Sequence, residues 1–281
     1  MKKYRLLESC LFLPTYLNKR KLNRQLEGKS ILITGASSGI GKELTYELAD
    51  ISCNLIVVAR RRDMLAQIKK ELKGKKANVY IFQADLRNEG ERETFLTFLH
   101  ELPNGANSID IVVSNAGLSI RRSIFHSLDR YHDFTRTMAI NYFAPVHILL
   151  SLLPHLKKNC GQIINISTVN ALLAPVPDFA AYQASKSALD MWLRSASTEL
   201  KEAGINVTSI YLPLVRTPMI EPTTAYGKMP AMSPKHVARI ICKSMYTKKK
   251  RYKPWWLIFG QVVSIFTNSF SSVFTKGGKS E

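Results

Sequence analysis

Six short apolar runs, each followed by a stretch long enough for a helix or a loop and helix, restrict this chain to few architectures. They are SILIT (30–34), NLIVVA (54–59), NVYIF (78–82), SIDIVVS (108–114), GQIINIS (161–167) and INVTSIYL (205–212). Each is nearly continuous in apolar residues rather than alternating, the pattern of strands buried on both faces. Strands alternating with amphipathic helices build a parallel sheet covered on both sides, an α/β doubly wound fold of Rossmann type. Helices are expected at 40–51, 63–72 and 89–102, with longer ones at 129–157 and 180–203.

One domain accounts for the 281 residues, because no repeat, low-complexity tract or Gly/Ser linker divides the body. Charge marks its limits. Residues 1–29 hold eight Lys or Arg against two Glu, and residues 248–281 hold seven against one, so much of the net charge of +19 sits in the two ends. The expected organisation is a basic extension (1–29), a nucleotide-binding body (30–247) and a basic, amphipathic tail (248–281), with no groove for specific nucleic acid. Cys10, Cys53, Cys160 and Cys242 form no CxxC pair and have no histidine at ligand spacing, so they read as thiols in a reducing cytoplasm, and no metal site is expected. His126, His132 and His147 read as structural or surface residues. The amino end begins like a secretory signal, but Glu8 and Pro14 interrupt its apolar stretch and no small-residue cleavage site follows.

The first strand runs into TGASSGIG. Gly35, Ser37, Ser38, Gly39, Ile40 and Gly41 there form a tight turn opening a helix, where glycines permit positive φ and free N–H groups face an anionic pyrophosphate. The second strand ends in Ala59, Arg60 and Arg61, where an enzyme preferring NAD would carry an acidic residue for the ribose 2′-hydroxyl. Two arginines welcome a 2′-phosphate instead, so NADPH is the expected cofactor. Asp85 and Leu86 in ADLR, and Asn115, Ala116 and Gly117 in SNAG, follow strands at the sheet edge where α/β folds bind ligands. Tyr182 and Lys186 in YQASK are four residues apart on one helix face, so a cation is expected beside the phenol, favouring its ionised form.

TGASSGIG, SNAG, Asn141 in AINYF, the IST strand end, YQASK and PLVRTP occur in an order that resembles the classical short-chain dehydrogenase/reductases, over about residues 28–247. The resemblance implies about seven strands, a nicotinamide cofactor and hydride transfer to or from a carbonyl. It implies Tyr182 as general acid/base, Lys186 as the group that tunes it and holds the nicotinamide ribose, and Asn141 as anchor of a proton-relay water. A hydroxyl residue polarises the carbonyl oxygen, and Pro213, Leu214, Val215 and Thr217 contact the nicotinamide carboxamide. Two hydroxyls compete, Ser167 and Thr168. Counting along the strand selects Thr168, with the extra residue before Tyr182 placed in the loop VNALLAPVPDFAA, because loops absorb an insertion and a paired strand does not.

Over roughly 108–235 the chain is similar to bacterial aldehyde-forming fatty acyl-CoA reductases of short-chain type, with PLVRTPMI followed by Pro-Thr as the most specific phrase. That implies a lipophilic acyl substrate, an acyl-CoA thioester, reduced to the aldehyde. The alternatives are reduction of an ordinary ketone, 3-oxoacyl or other lipophilic carbonyl, and a nucleotide-binding protein without turnover. Arg121 and Arg122 read as contacts for CoA phosphates or as solvated surface, and Met219 to Met232 as an adaptable lid or as core edge. In the tail, Trp256, Phe259, Val263, Phe266, Phe270 and Val273 recur at helical spacing after a run of lysines. Residues 254–275 therefore read as a helix in a membrane interface, or as one packed on the chain's own body or on a second copy in a homo-oligomer.

Overall fold

The computed structural model describes residues 5–103, 108–221, 226–227 and 229–261. Two short helices, α1 (Arg5–Leu11) and α2 (Lys19–Leu26), precede β1 (Ser30–Thr34), α3 (Gly39–Leu48), β2 (Asn54–Ala59), α4 (Arg62–Glu71), β3 (Asn78–Gln83), α5 (Glu89–Glu101) and β4 (Ile111–Ser114). There follow α6 (Tyr131–Met138), α7 (Ala144–Lys158), β5 (Gln162–Thr168), α8 (Ala180–Ser195), α9 (Ser197–Glu202), β6 (Asn206–Leu212), α10 (Pro234–Thr247) and β7 (Arg251–Tyr252). The seven strands form one parallel sheet in the order β3-β2-β1-β4-β5-β6-β7. The order reverses between β1 and β4, which opens a crevice at their carboxyl ends.

Alternate residues of each buried strand feed two cores. Ile31, Ile33, Leu55, Val57, Ile164 and Ile166 pack with Leu44 and Leu48 of α3 and with Val237, Ile241 and Met245 of α10. Leu32, Ile56, Val58, Val112 and Ile163 pack on the other side with Phe95, Ile148, Leu149, Leu152 and Leu189 from α5, α7 and α8. This is the two-residue period of a strand expressed as two layers of helices.

Three boundaries differ from the pattern reading. The fourth strand starts at Ile111, not Ser108, because Asp110 closes the edge instead: its carboxylate accepts from Ser30 N at 2.9 Å and pairs with Lys29 at 2.8 Å. The expected 129–157 helix is two α-helices joined by a π-helical turn, Ala139–Phe143. The Tyr131–Lys158 stretch is long and apolar enough to cross a membrane by length and composition, yet α7 buries Ile148, Leu149, Leu152 and Leu156 against the sheet. The stretch from 180 breaks at Ala196 between α8 and α9.

Both basic ends meet the body. On α2, Leu22 and Leu26 are buried against α10 while Lys19, Arg20 and Lys21 point outward. Glu8 of α1 pairs with Arg216 and accepts from Ala231 N at 3.1 Å. At the other end β7 lies inside the basic run that begins at Lys248. Beyond it Leu257 is fully buried and Trp256 packs inward, whereas Trp255, Ile258 and Phe259 are exposed. The rest of the expected 254–275 helix, from 262 on, lies outside the described residues.

Candidate active site

A cavity of about 510 Å³ occupies the crevice. Its phosphate end is built by the turn between β1 and α3. Gly35 has φ +70 and Gly39 φ +55, and a Cβ on Gly35 would come within 2.9 Å of Ala116 Cα. Thr34 Oγ1 accepts from the backbone N–H groups of Asn115 and Ala116, at 3.0 and 2.9 Å, and Asn115 Nδ2 donates back to Thr34 O at 2.9 Å. The turn is thereby laced to β4. At the N-cap of α3, Ser38 makes no side-chain capping bond, and Ser37, Ser38, Gly39 and Ile40 line the cavity. A helix start left uncapped by its own side chain, beneath glycines that leave room for nothing bulkier, fits the pyrophosphate of a nicotinamide dinucleotide.

Gly41 does not line the cavity. A Cβ there would stand 2.6 Å from Gly35 O and 2.9 Å from Ala36 Cα, so this glycine serves the close packing of helix on turn. Arg60 and Arg61 line the far end, where Arg61 donates to Ser37 Oγ at 3.2 Å. Asp85 and Leu86 line it as well, but the Asp85 carboxylate is held by Arg87. That hydrogen-bonded guanidinium keeps the carboxyl below its ordinary range, and the neighbouring Arg60 adds to the effect. Arg87, also on the cavity wall, escaped the pattern reading because nothing in its spacing sets it apart.

At the reacting end Tyr182 and Lys186 face the cavity from α8, with Ser167 and Thr168 arriving on β5. β5 pairs with β4 and β6 without a bulge as far as Thr168. The Thr168 hydroxyl accepts from Asn170 N at 3.3 Å and is near enough to Tyr182 to favour its ionised form. The Ser167 hydroxyl is buried and bonds no group among the described residues.

Lys186 donates to Ile166 O at 3.0 Å, and burial pulls its ammonium down to about 8. Tyr182 is shifted upward, first by burial, with the nearby Thr168 hydroxyl opposing and Tyr226 adding to the rise. The expected lowering of the phenol by its lysine is not found, because burial disfavours the charged form of both groups. Asn141 is buried in the π-helical turn between α6 and α7. Its oxygen accepts from Leu118 N at 2.9 Å, and its amide donates to Leu118 O at 2.8 Å and to Ser185 Oγ at 2.9 Å. With its amide oxygen and nitrogen both engaged, the side chain ties the loop after SNAG to α8. Gly117 is required beside it, since a Cβ would meet Asn141 Oδ1 at 3.0 Å and Lys186 Nζ at 3.4 Å.

Pro213, Leu214, Val215 and Thr217 close the cavity from above, with Thr217 against Gly39. The segment they begin is tied back where Met232 N donates to Leu214 O and Arg216 N to Met232 O, both at 2.9 Å. Met219, Ile220, Tyr226 and Met229 form an apolar wall with Val176 and Phe179 opposite. Met232 is core, not wall. Arg121 and Arg122 are committed to carboxylates, Arg121 to Asp178 at 3.2 Å and Arg122 to the buried Asp133 at 3.0 Å. His147 accepts from Arg92, and among the described residues no cluster of three or more His, Cys, Asp or Glu is arranged for a metal.

The family model described as short chain dehydrogenase matches residues 29–226. The chain belongs to the short-chain dehydrogenases. It is an oxidoreductase of that family, whose members use nicotinamide dinucleotides. It is 41% identical over 227 residues to a fatty acyl-CoA reductase of Acinetobacter baylyi, covering 80% of this chain and 76% of that one. A fatty acyl-CoA reductase of Mycobacterium tuberculosis is 37% identical over 230 residues, covering 82% and 77%. Among solved structures, a short-chain dehydrogenase from Sphingobium yanoikuyae in complex with NADPH shares the fold, with a TM-score of 0.74 at 21% identity over 90% of this chain and 97% of that one.

Proposed function

We propose that this short-chain dehydrogenase is an NADPH-dependent reductase that converts a long-chain acyl-CoA thioester to the aldehyde. The observation that carries this reading is that Thr168 and Tyr182 line one cavity with the apolar Met219, Ile220, Tyr226 and Met229, in a chain similar to two fatty acyl-CoA reductases. Arg60 and Arg61 at the end of β2, where an acid for the ribose 2′-hydroxyl would stand, favour the 2′-phosphate form of the cofactor. When bound, that cofactor supplies hydride. The two hydroxyls then donate to the carbonyl oxygen as it gains negative charge, an interaction stronger in the transition state than in the ground state. Tyr182 holds the proton to be delivered, Lys186 the charge next to it. As the C–S bond breaks the oxygen re-forms a carbonyl, that of the aldehyde, and the departing thiolate takes up the proton and leaves as free thiol; the long chain lies along the apolar wall.

The exposed Trp255, Ile258 and Phe259, following Lys248 to Lys253, support work at the cytoplasmic surface of a membrane, where fatty substrates concentrate. Phe143, Leu150 and Met191, exposed on α7 and α8 and the turn before them, support a homo-oligomer. Purified protein incubated with NADPH and palmitoyl-CoA is expected to yield aldehyde and one thiol per NADPH consumed. Turnover of ketones or 3-oxoacyl compounds with none of the thioester would move the substrate to an ordinary carbonyl. NADPH binding without turnover of any carbonyl would leave a nucleotide-binding protein.

A further inference from the structure

The loop that follows Thr168 is held from two sides. On the cavity side, Gln183, one residue after Tyr182, donates to Asn170 O at 2.7 Å and Ala174 O at 3.3 Å, and its amide oxygen accepts from Val176 N at 2.9 Å. On the far side the contact comes from the tail. Val169, Tyr211 and Leu257 make a small buried cluster of their own, separate from the two sheet cores, with Leu172, Leu173 and Trp256 packed around it. Gln261 donates to Leu172 O at 3.2 Å. Tyr211 is immobilised in turn: it pairs with Ser167 across β5 and β6, and its hydroxyl donates to the buried Asp190 at 2.6 Å.

We propose that residues 254–261 are a strut which fixes the loop carrying the Thr168 hydroxyl, with Leu257 as its positioning residue. Thr168 is the last residue of β5, and its hydroxyl is also bonded to Asn170 N inside that loop, so the donor's direction depends on where Val169 to Leu173 rest. Gln183 fixes the inner edge of the loop, and Tyr211 supports Val169 from the sheet. Leu257, fully buried, completes that support. The same segment turns Trp255, Ile258 and Phe259 outward, so the strut has a face left for another surface. Donor geometry matters at this scale, since a displacement of about 1 Å at a reacting group costs up to about a hundredfold in rate.

The inference rests on Thr168 being the donor to the substrate oxygen, and its test includes a reading that needs no substrate. In the full chain with NADPH bound, Leu257→Ala is compared with Leu257→Met, which refills the space, and with Phe259→Ala on the exposed face. Hydrogen exchange of the amides in 169–173 is expected to quicken about tenfold or more in Leu257→Ala while those of β1 and β4 stay unchanged. Palmitoyl-CoA reduction should lose about tenfold or more in kcat, with KM and NADPH affinity within about twofold. Leu257→Met and Phe259→Ala should behave as wild type. Loop exchange and kcat within about twofold of wild type in Leu257→Ala would overturn the strut. Should that variant lose NADPH binding altogether, Gln261→Ala decides by the same loop exchange. Should wild type fail to reduce palmitoyl-CoA, the exchange result still decides the strut, and only the thioester reading falls.

Discussion

Burying the Lys186 ammonium costs stability in the absence of cofactor, and the cost is measurable. Its side chain is 7% exposed, and burial brings it from an ordinary 10.5 down to about 8. At about 1.4 kcal/mol per pH unit, that gap is a penalty of about 3 kcal/mol. Lys186→Met removes the charge at similar length and loses the bond to Ile166 O, worth about 1 kcal/mol, so the variant should be more stable than wild type by about 2 kcal/mol near neutral pH. The sign with pH follows from proton counts. Below about 8 the lysine is charged in both folded and unfolded chains and the penalty is complete. Between about 8 and 10.5 the unfolded chain holds more protons than the folded one, so the wild type gains stability as pH rises, and above 10.5 the penalty is gone. Urea unfolding of both proteins without cofactor, at about pH 7 and about pH 10.5, reads the difference directly, because other titrating groups act on both alike. The variant's advantage should shrink to nothing or reverse at the higher pH. An advantage of equal size at both would refute the assignment of the low value to burial. Turnover should be lost in the variant at either pH.

Thr168→Val should lower kcat by about a hundredfold or more, as for removal of a donor to a developing oxyanion, whereas Ser167→Ala should stay within about twofold, because that hydroxyl bonds nothing among the described residues. Steady-state kinetics with palmitoyl-CoA separates the two. Replacing Arg60 and Arg61 together by alanine should weaken NADPH binding by about tenfold or more and leave NADH binding within about twofold, measured by fluorescence titration. Gly41→Ala should lose nucleotide affinity and about 2 kcal/mol or more of stability in urea unfolding, since its Cβ meets backbone at 2.6 and 2.9 Å and neither neighbour can turn aside.

What could be read from the sequence is what depends on local pattern. The six apolar runs are six strands, most of them apolar because they are buried on both faces, although β3 at the sheet edge is only half-buried; the glycine turn is legible because Gly35 and Gly39 sit at positive φ. The choice of Thr168 over Ser167 rests on a paired strand keeping its register, and β5 is paired without a bulge as far as Thr168. The seventh strand left no signal, for it is two residues long within a run of lysines and exists only because β6 offers an edge. Long-range pairings were equally silent. Arg121 and Arg122 looked available for a ligand until Asp178 and Asp133, far along the chain or on another helix, were brought to them. The state of Lys186 depends on how dry its surroundings are, which spacing alone does not encode.

The brevity of β7 has a consequence for the protein at high concentration. An open sheet edge is a template on which another chain's strand can be added, and this edge presents two residues bracketed by Lys248, Lys249, Lys250 and Lys253. Such an edge is too short to register a guest strand and too positive to attract a second copy of itself. On this side, then, the molecule is guarded against fibrous aggregation, and copies that meet must do so through side chains rather than by extending one another's backbone.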